Sequence, residues 1–252
     1  MSGFYVYGVV AAGSAVPASP VAVRLVECGS LAAVVGDVSL EEFGEDALAR
    51  NLNDREWLEA HARTHDAVLH AFVGVTPVVP LRFGAIYRTE DEVRRMLETR
   101  REFFETTLAQ LRGRVEMGVK AWIDRAAFQR QLARRGAAEE AASGRGYLER
   151  RQSELAAAGE ASRRVAELAR ASHERLLAAA VDGVTNRAQP RELTGRLDEM
   201  ILNGAYLVPE DDSRLVDEVA RLSEEWGRLG VSFEATGPWP PYNFARIEEP
   251  AR

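Results

Sequence analysis

RVEMGVKAWI, residues 114–123, is the stretch of sequence that decides the fold. Apolar residues alternate in it with polar, small or aromatic ones, which is the period of a β-strand with one buried face. The alternating apolar set is Val115, Met117, Val119 and Ala121. Outward from this strand toward the C-terminus, we predict a long helical region, two strands, a helix and a last strand. These segments lie at about 124–181, 184–189, 199–208, 213–230 and 231–239.

The succession β-α-β-β-α-β is the ferredoxin-like order, in which a four-stranded antiparallel sheet carries its helices on one face. We therefore predict the α+β class, with a C-terminal ferredoxin-like domain at 114–252 and a domain boundary near Gly113. A helical insertion at about 126–181 extends this domain. It is rich in Ala, Arg and Glu, and we interpret it as a surface helix or helical hairpin folded over the sheet. A helical arm that contacts a partner is the alternative.

The preceding residues, 1–113, predict an N-terminal α+β domain with a small, mostly antiparallel sheet. A strand at the start and two short apolar runs predict a three-stranded meander. Ser39 and Thr89 each stand three positions before a glutamate, the spacing of a capping box at a helix start. Pro77 and Pro80 each remove a backbone donor, so the segment around them predicts an edge strand or an irregular extension.

Composition excludes several classes of protein. The 252 residues are 46% hydrophobic and carry a formal net charge of −7, and no apolar run approaches the roughly 18–20 residues of a membrane-spanning helix. An acidic chain carries no general electrostatic signal for nucleic acid. Cys28 is the only cysteine, so no intramolecular disulfide can form, which is typical of a reducing compartment. We predict a cytoplasmic protein with no membrane span and no nucleic-acid partner.

The motifs of the common enzyme classes are absent from the sequence. It contains no GxxxxGK[ST] phosphate loop, no GxGxxG after a strand, no HExxH and no GxSxG. His61 and His65 lie one helical turn apart and could bind a metal ion from one face of a helix. The spacing of the other residues indicates no third ligand, so we interpret both histidines as structural. We predict no catalytic residue, no cofactor and no metal.

Two segments are unusual for an ordinary globular domain. In VVPLRFGAIY, residues 78–87, Arg82 lies inside an extended apolar run, and we expect it to be buried or half-buried and paired with carboxylate or carbonyl oxygens. In GPWPPYNFA, residues 237–245, three prolines alternate with aromatic residues. Such a segment is too rigid for a disordered tail and too apolar to be left in water. We expect it to dock on its own domain, with presentation to a partner as the alternative.

These segments carry a resemblance to a known family. VVPLRFGAIY and GPWPPYNFA resemble signature blocks of the gas vesicle protein F/L family, and HDAVL, VEMGVKAW, SGRGYLERR and LNGAYLV occur between or before them in the family's order. The resemblance spans almost the whole chain. Positions that match family motifs, and that are candidates for partner binding, are His65, Arg82, Phe83, Tyr147, Trp239, Tyr242 and Phe244. Pro80, Gly84 and Pro240 match as well, and for the glycines and prolines we expect a role in folding.

The resemblance implies a two-domain, cytoplasmic, non-enzymatic accessory protein of gas vesicle formation, associated with the vesicle. It also implies contact with the small hydrophobic shell protein during nucleation or assembly, and with other gas vesicle accessory proteins as further partners. The family has no established catalytic residues to carry over. The competing hypothesis is a small-molecule sensor or regulatory protein, since ferredoxin-like domains often bind ligands along an exposed sheet. Both the F-type and the L-type remain open.

Overall fold

A computed structural model describes residues 1–131 and 147–245, and it confirms the α+β class with antiparallel sheets. The described chain divides into two compact units, one formed by residues 1–116 together with 238–245, the other by the described part of 117–237. The proline and aromatic segment, which sequence analysis assigned to the C-terminal domain, thus groups with the first unit. No described helix is long and apolar enough to cross a membrane.

The first unit is built on a five-stranded sheet in the order β2-β3-β1-β4, with β5 also pairing with β1. The elements are β1 (Ser2–Ala11), β2 (Arg24–Cys28), β3 (Leu31–Ser39), α1 (Leu40–Phe43), α2 (Glu45–Asn51), α3 (Arg55–Phe72), β4 (Val79–Pro80), β5 (Ile86–Tyr87), α4 (Glu90–Thr99) and α5 (Arg101–Leu111). Strands β1, β2 and β3 form the predicted meander. The segment with the two prolines contributes only the two short strands β4 and β5, both antiparallel to β1.

Side-chain caps explain where the first-unit helices begin. Asp54 accepts from two backbone N–H groups at the start of α3, and Ser39 and Thr89 cap α1 and α4 in the same way. The chain after Thr89 forms two helices, because Arg100 leaves helical geometry with φ −115° and ψ 21°. Arg100 therefore stands at a corner between α4 and α5.

One core cluster of the first unit lies between the sheet and α3. Its buried residues are Tyr5, Tyr7, Val10, Ala32, Val34, Phe43, Val68, Leu69, Phe72 and Val78. Val68, Leu69 and Phe72 come from the apolar stripe of α3, which the periodicity of that helix predicts. This packing sets the position of β4 and β5 at one edge of the sheet.

The second unit contains a four-stranded sheet in the order β7-β8-β6-β9. Its elements are β6 (Arg114–Ile123), α6 (described over 125–131), α7 (Tyr147–Ala178), β7 (Asp182–Thr185), α8 (Arg191–Thr194), β8 (Glu199–Pro209), α9 (Arg214–Gly227) and β9 (Val231–Trp239). A core cluster joins Ile123, Phe128, Val165, Leu168, Leu229 and Val231. The glycines at 136, 144 and 146 predict interruptions of the helical insertion, and these positions lie outside the described residues.

Candidate functional site

A chain of hydrogen bonds holds the PLRFG segment against β1 and α3. The backbone N–H of Gly84 donates to the Tyr5 hydroxyl at 3.0 Å, and this hydroxyl pairs with His65 Nδ1 at 2.9 Å. With Nδ1 as the acceptor, Nε2–H of His65 donates to the carbonyl of Leu81. Three segments that are distant in the sequence are therefore joined by one connected set of polar groups.

Burial makes His65 a structural group. Its side chain is 6% exposed, and desolvation lowers its pKa from 6.5 to about 4, against the opposing effects of Asp66 and the Leu81 carbonyl. The imidazole is therefore neutral at physiological pH. Burial also raises the pKa of Tyr5, so its hydroxyl stays protonated and can donate to His65. This arrangement agrees with the structural interpretation of His65.

Gly84 and Phe83 explain the shape of the same segment. Gly84 has a φ of +80°, a conformation that L side chains rarely adopt, so glycine is required at this turn. Phe83 is half-buried and makes edge contacts with Tyr5, Trp57 and His65, with ring centroids 5.8–6.3 Å apart. Phe83 therefore packs against the unit's own aromatic cluster.

The expectation that Arg82 is buried or half-buried is wrong. Leu81 is buried and Phe83, where the chain turns, is half-buried. Arg82, between them, is exposed. The desolvation penalty that motivated the expectation does not arise.

Arg82 lines a groove of about 720 Å³ on the first unit. Its walls include Leu81, Arg82, Ile86, Tyr87, Arg100 and Tyr242. A second depression of about 460 Å³ shares Tyr87 and Arg100 with it, and adds Arg95, Met96 and Glu92 from α4. We call the two depressions together the trough, and its lining includes three arginines, Arg82, Arg95 and Arg100.

The trough places positive charge next to a half-buried tyrosine. Burial raises the pKa of Tyr87, while Arg100 and Arg82 oppose that shift, so both guanidinium groups act on the same hydroxyl. Arg100 is half-buried and has no salt-bridge partner within the described residues. Such an arrangement can bind an anionic group beside apolar side chains.

The C-terminal proline and aromatic segment docks on the first unit, and not on the C-terminal domain to which the sequence assigns it. Pro240 and Pro241 are buried, and the Tyr242 hydroxyl donates to Asp66 Oδ1 at 2.9 Å. Asn243 donates to the buried carboxylate of Glu116 through both its backbone N–H, at 2.8 Å, and its side-chain amide, at 2.6 Å. These polar contacts fix the segment beside the groove.

The remaining candidates lie in different places. The ring of Trp239 is 39% exposed and stands 5.9 Å from the ring of His70, and Phe244 is half-buried. Tyr147 begins helix α7, and its side chain lies outside the described residues. Of the seven candidates, Arg82 and Tyr242 meet in the groove, whereas His65 and Phe83 support the segment that forms its wall.

Sequence reasoning missed three groove residues. Ile86 and Tyr87 lie within the quoted block VVPLRFGAIY, and their alternation with Ala85 could have indicated an exposed strand edge. Arg100 carries no local signal, because its role depends on the corner between α4 and α5. Glu116, which holds Asn243, was read only as the polar face of a strand.

Comparisons with known proteins cover nearly the whole chain. The family model described as gas vesicle synthesis protein GvpL/GvpF matches residues 3–246. Gas vesicle protein L of a Streptomyces species is 40% identical over 226 residues, covering 90% of this chain and 84% of that protein. Gas vesicle protein L1 of Halobacterium salinarum is 29% identical, covering 88% of this chain and 80% of that protein.

Two solved structures share the fold. The crystal structure of GvpF from Anabaena sp. PCC7120 superposes with a TM-score of 0.72 and 18% identity, covering 100% of this chain and 99% of that one. The structure of GvpF from Microcystis aeruginosa has a TM-score of 0.66 and 19% identity, covering 97% and 99%. At these identities the likeness concerns the fold alone.

Proposed function

Because the chain belongs to the gas vesicle synthesis protein GvpL/GvpF family, we propose that it acts in gas vesicle formation as a non-enzymatic accessory factor that binds the small hydrophobic shell protein. The observation that carries this proposal is the family match over residues 3–246. Binding occurs during nucleation or assembly, and other gas vesicle accessory proteins are further partners. The working location is the cytoplasm, at the growing vesicle.

A physical argument supports a binding role. A strongly apolar shell subunit would aggregate before its incorporation unless another protein covers its apolar surface. This chain carries a net charge of −7, which favours its own solubility, and it also presents partly exposed aromatic rings at Trp239 and Tyr242. A protein of this kind can hold an apolar partner without joining its aggregates.

The contacts of the histidines support a non-enzymatic role. His65 is bound on both ring nitrogens by the Tyr5 hydroxyl and the Leu81 carbonyl. Nδ1 of His61 donates to the Trp57 carbonyl at 2.8 Å, and its Nε2 lies 3.4 Å from Glu42. Groups engaged in this way stabilise the fold and are not poised to transfer protons to a substrate.

We assign the second unit to the ferredoxin-like class. The strand order β7-β8-β6-β9, with helical residues between β6 and β7 and helix α9 between β8 and β9, supports this assignment. Strands β7 and β8 pair in antiparallel register, with Gly183 opposite Tyr206. A domain boundary close to the start of β6 follows from it.

The experiment for the proposed function is deletion of the gene in a vesicle-forming host, with complementation by the wild-type chain. We expect vesicles to be lost or greatly reduced by electron microscopy, and to return on complementation. A deletion strain with normal vesicle number and shape would contradict the proposal. A strain that lacks the shell protein supplies the reference for complete loss.

The alternative hypothesis, that the chain is a small-molecule sensor, needs a separate measurement. A thermal-shift screen with nucleotides and amino acids would detect a small ligand, because a ligand that binds the native state raises the melting temperature. A reproducible shift that follows ligand concentration would favour a sensor over an accessory factor.

A further inference from the structure

The sheet edge formed by β4 and β5 has backbone groups that can pair with another strand. Ile86 lies opposite Tyr5 on β1, and the N–H of Val6 donates to the carbonyl of Ala85 at 2.9 Å. In an antiparallel ladder consecutive residues alternate in direction, so the N–H and C=O of Ile86 point away from β1. Within the described residues, no strand pairs with that outer side.

The trough described above runs along this edge. Ala85, Ile86 and Tyr87 line it, and its extension along α4 reaches Arg95 and Thr99. A trough beside a sheet edge can receive an extended polypeptide, because backbone groups at the edge hydrogen-bond to a strand while pockets receive alternate side chains.

Charge indicates the chemistry of such a strand. The chain as a whole has a net charge of −7, but among the described residues that line the trough Arg95 and Arg100 stand beside a single carboxylate, that of Glu92. Arg100 is half-buried, and neither Arg95 nor Arg100 has a salt-bridge partner in the part of the chain that the structure describes. A half-buried guanidinium gains most from a carboxylate that reaches it.

We propose that the trough along β4 and β5 binds an extended segment of another protein in which acidic and apolar side chains alternate. The backbone of that segment pairs with Ile86, its carboxylates meet Arg100 and Arg95, and its apolar side chains contact Leu81 and Tyr87. This proposal does not depend on the partner named under the proposed function. It holds also if the shell protein binds to another surface of the chain.

A peptide titration tests the proposal on the full chain. The probe is a fluorescein-labelled seven-residue peptide of alternating valine and glutamate, measured by fluorescence anisotropy. The comparison peptides replace glutamate by lysine, or carry N-methyl groups on the central backbone amides. We expect only the unmethylated glutamate peptide to bind, with affinity that falls as salt is raised, because exposed charges are screened.

Two charge reversals and a matched control locate the site. Arg100→Glu and Arg95→Glu should each weaken binding by about tenfold or more, since they replace attraction by repulsion. Arg63→Glu is the control, because Arg63 lies on the exposed face of α3, paired with Glu59, and does not line the trough. Arg95 is exposed, so its variant should fold even if the Arg100 variant does not, and circular dichroism checks both.

Several results would overturn the proposal. These are no binding of the glutamate peptide, equal binding of the lysine peptide, or equal weakening by Arg63→Glu and Arg95→Glu. Undiminished binding of the N-methylated peptide would exclude strand pairing. Competition by free glutarate at the same concentration as the peptide would assign the trough to a small anion instead.

Discussion

Removing the Tyr5 hydroxyl tests how the PLRFG segment is held. Tyr5→Phe deletes one oxygen atom and keeps the ring that packs against Tyr7, Phe43 and Phe83. His65 Nδ1 then loses its donor in a buried site, which costs about 1–3 kcal/mol. The N–H of Gly84 loses its acceptor in a half-buried site, which adds about 0.5–1.5 kcal/mol.

The sum is a loss of roughly 1.5–4.5 kcal/mol in the free energy of unfolding of the first unit. For a chain of this size each kcal/mol lowers the melting temperature by about 2–4 °C, so we expect a decrease of about 3–18 °C. The assay is thermal unfolding followed by circular dichroism and by tryptophan fluorescence, since Trp57 lies in the aromatic cluster.

Tyr7→Phe is the matched control. Tyr7 lies on the same strand, is also buried, and makes no hydrogen bond through its hydroxyl within the described residues. We expect its melting temperature to stay within about 2 °C of the wild type. If Tyr5→Phe is as mild as Tyr7→Phe, the hydrogen-bonded chain through Tyr5 does not hold the segment.

Three further predictions concern stability. The pKa of His65 is about 4 in the folded state against 6.5 in the unfolded state, so the unfolded state binds the proton first as pH falls, and stability is lost from pH 6.5 down to about 4. The total loss is roughly 3 kcal/mol, and urea titrations at several pH values should show that His65→Gln removes this contribution. Asn243→Ala removes the hydrogen bond that the side-chain amide donates to the buried carboxylate of Glu116. The free energy of unfolding should fall by about 1.5–3 kcal/mol, measured by urea titration. Gly204→Ala places a methyl group 2.5–2.8 Å from the buried ring of Tyr206 and should cost about 1–3 kcal/mol in the second unit, by the same measurement.

Each of these predictions has a contrary result. An unchanged pH dependence in His65→Gln would show that His65 is not held neutral by the fold. A loss below about 0.5 kcal/mol in Asn243→Ala would mean that the backbone N–H alone carries the contact with Glu116. Gly159→Ala, on α7 with open space around it, should be neutral or gain up to about 1 kcal/mol, so equal effects at Gly159 and Gly204 would refute the packing argument.

Local patterns in the sequence predicted the features that depend on neighbouring residues. The existence of strand β6, the apolar stripe of α3 and the caps at Ser39 and Thr89 each depend on residues a few positions apart. Such signals reflect backbone periodicity and the need to satisfy free N–H groups, which a sequence displays directly.

Features that depend on distant residues were not predictable in this way. The groove unites positions 82, 87, 100 and 242, and no local pattern joins them. The C-terminal segment groups with the first unit through Asp66 and Glu116, which lie far away in the sequence. Arg82 was expected inside because its neighbours are apolar, but between buried Leu81 and half-buried Phe83 its side chain is exposed.

Co-expression of this chain with the shell protein alone is the measurement that tests the central claim most directly. The tagged chain is purified from cells that contain no other gas vesicle protein, and the eluate is analysed by size-exclusion chromatography and mass spectrometry. We predict that the shell protein co-elutes with the chain, and that its share in the supernatant rises with the amount of chain. A shell protein that stays entirely in the pellet, with the chain eluting alone, would contradict the account.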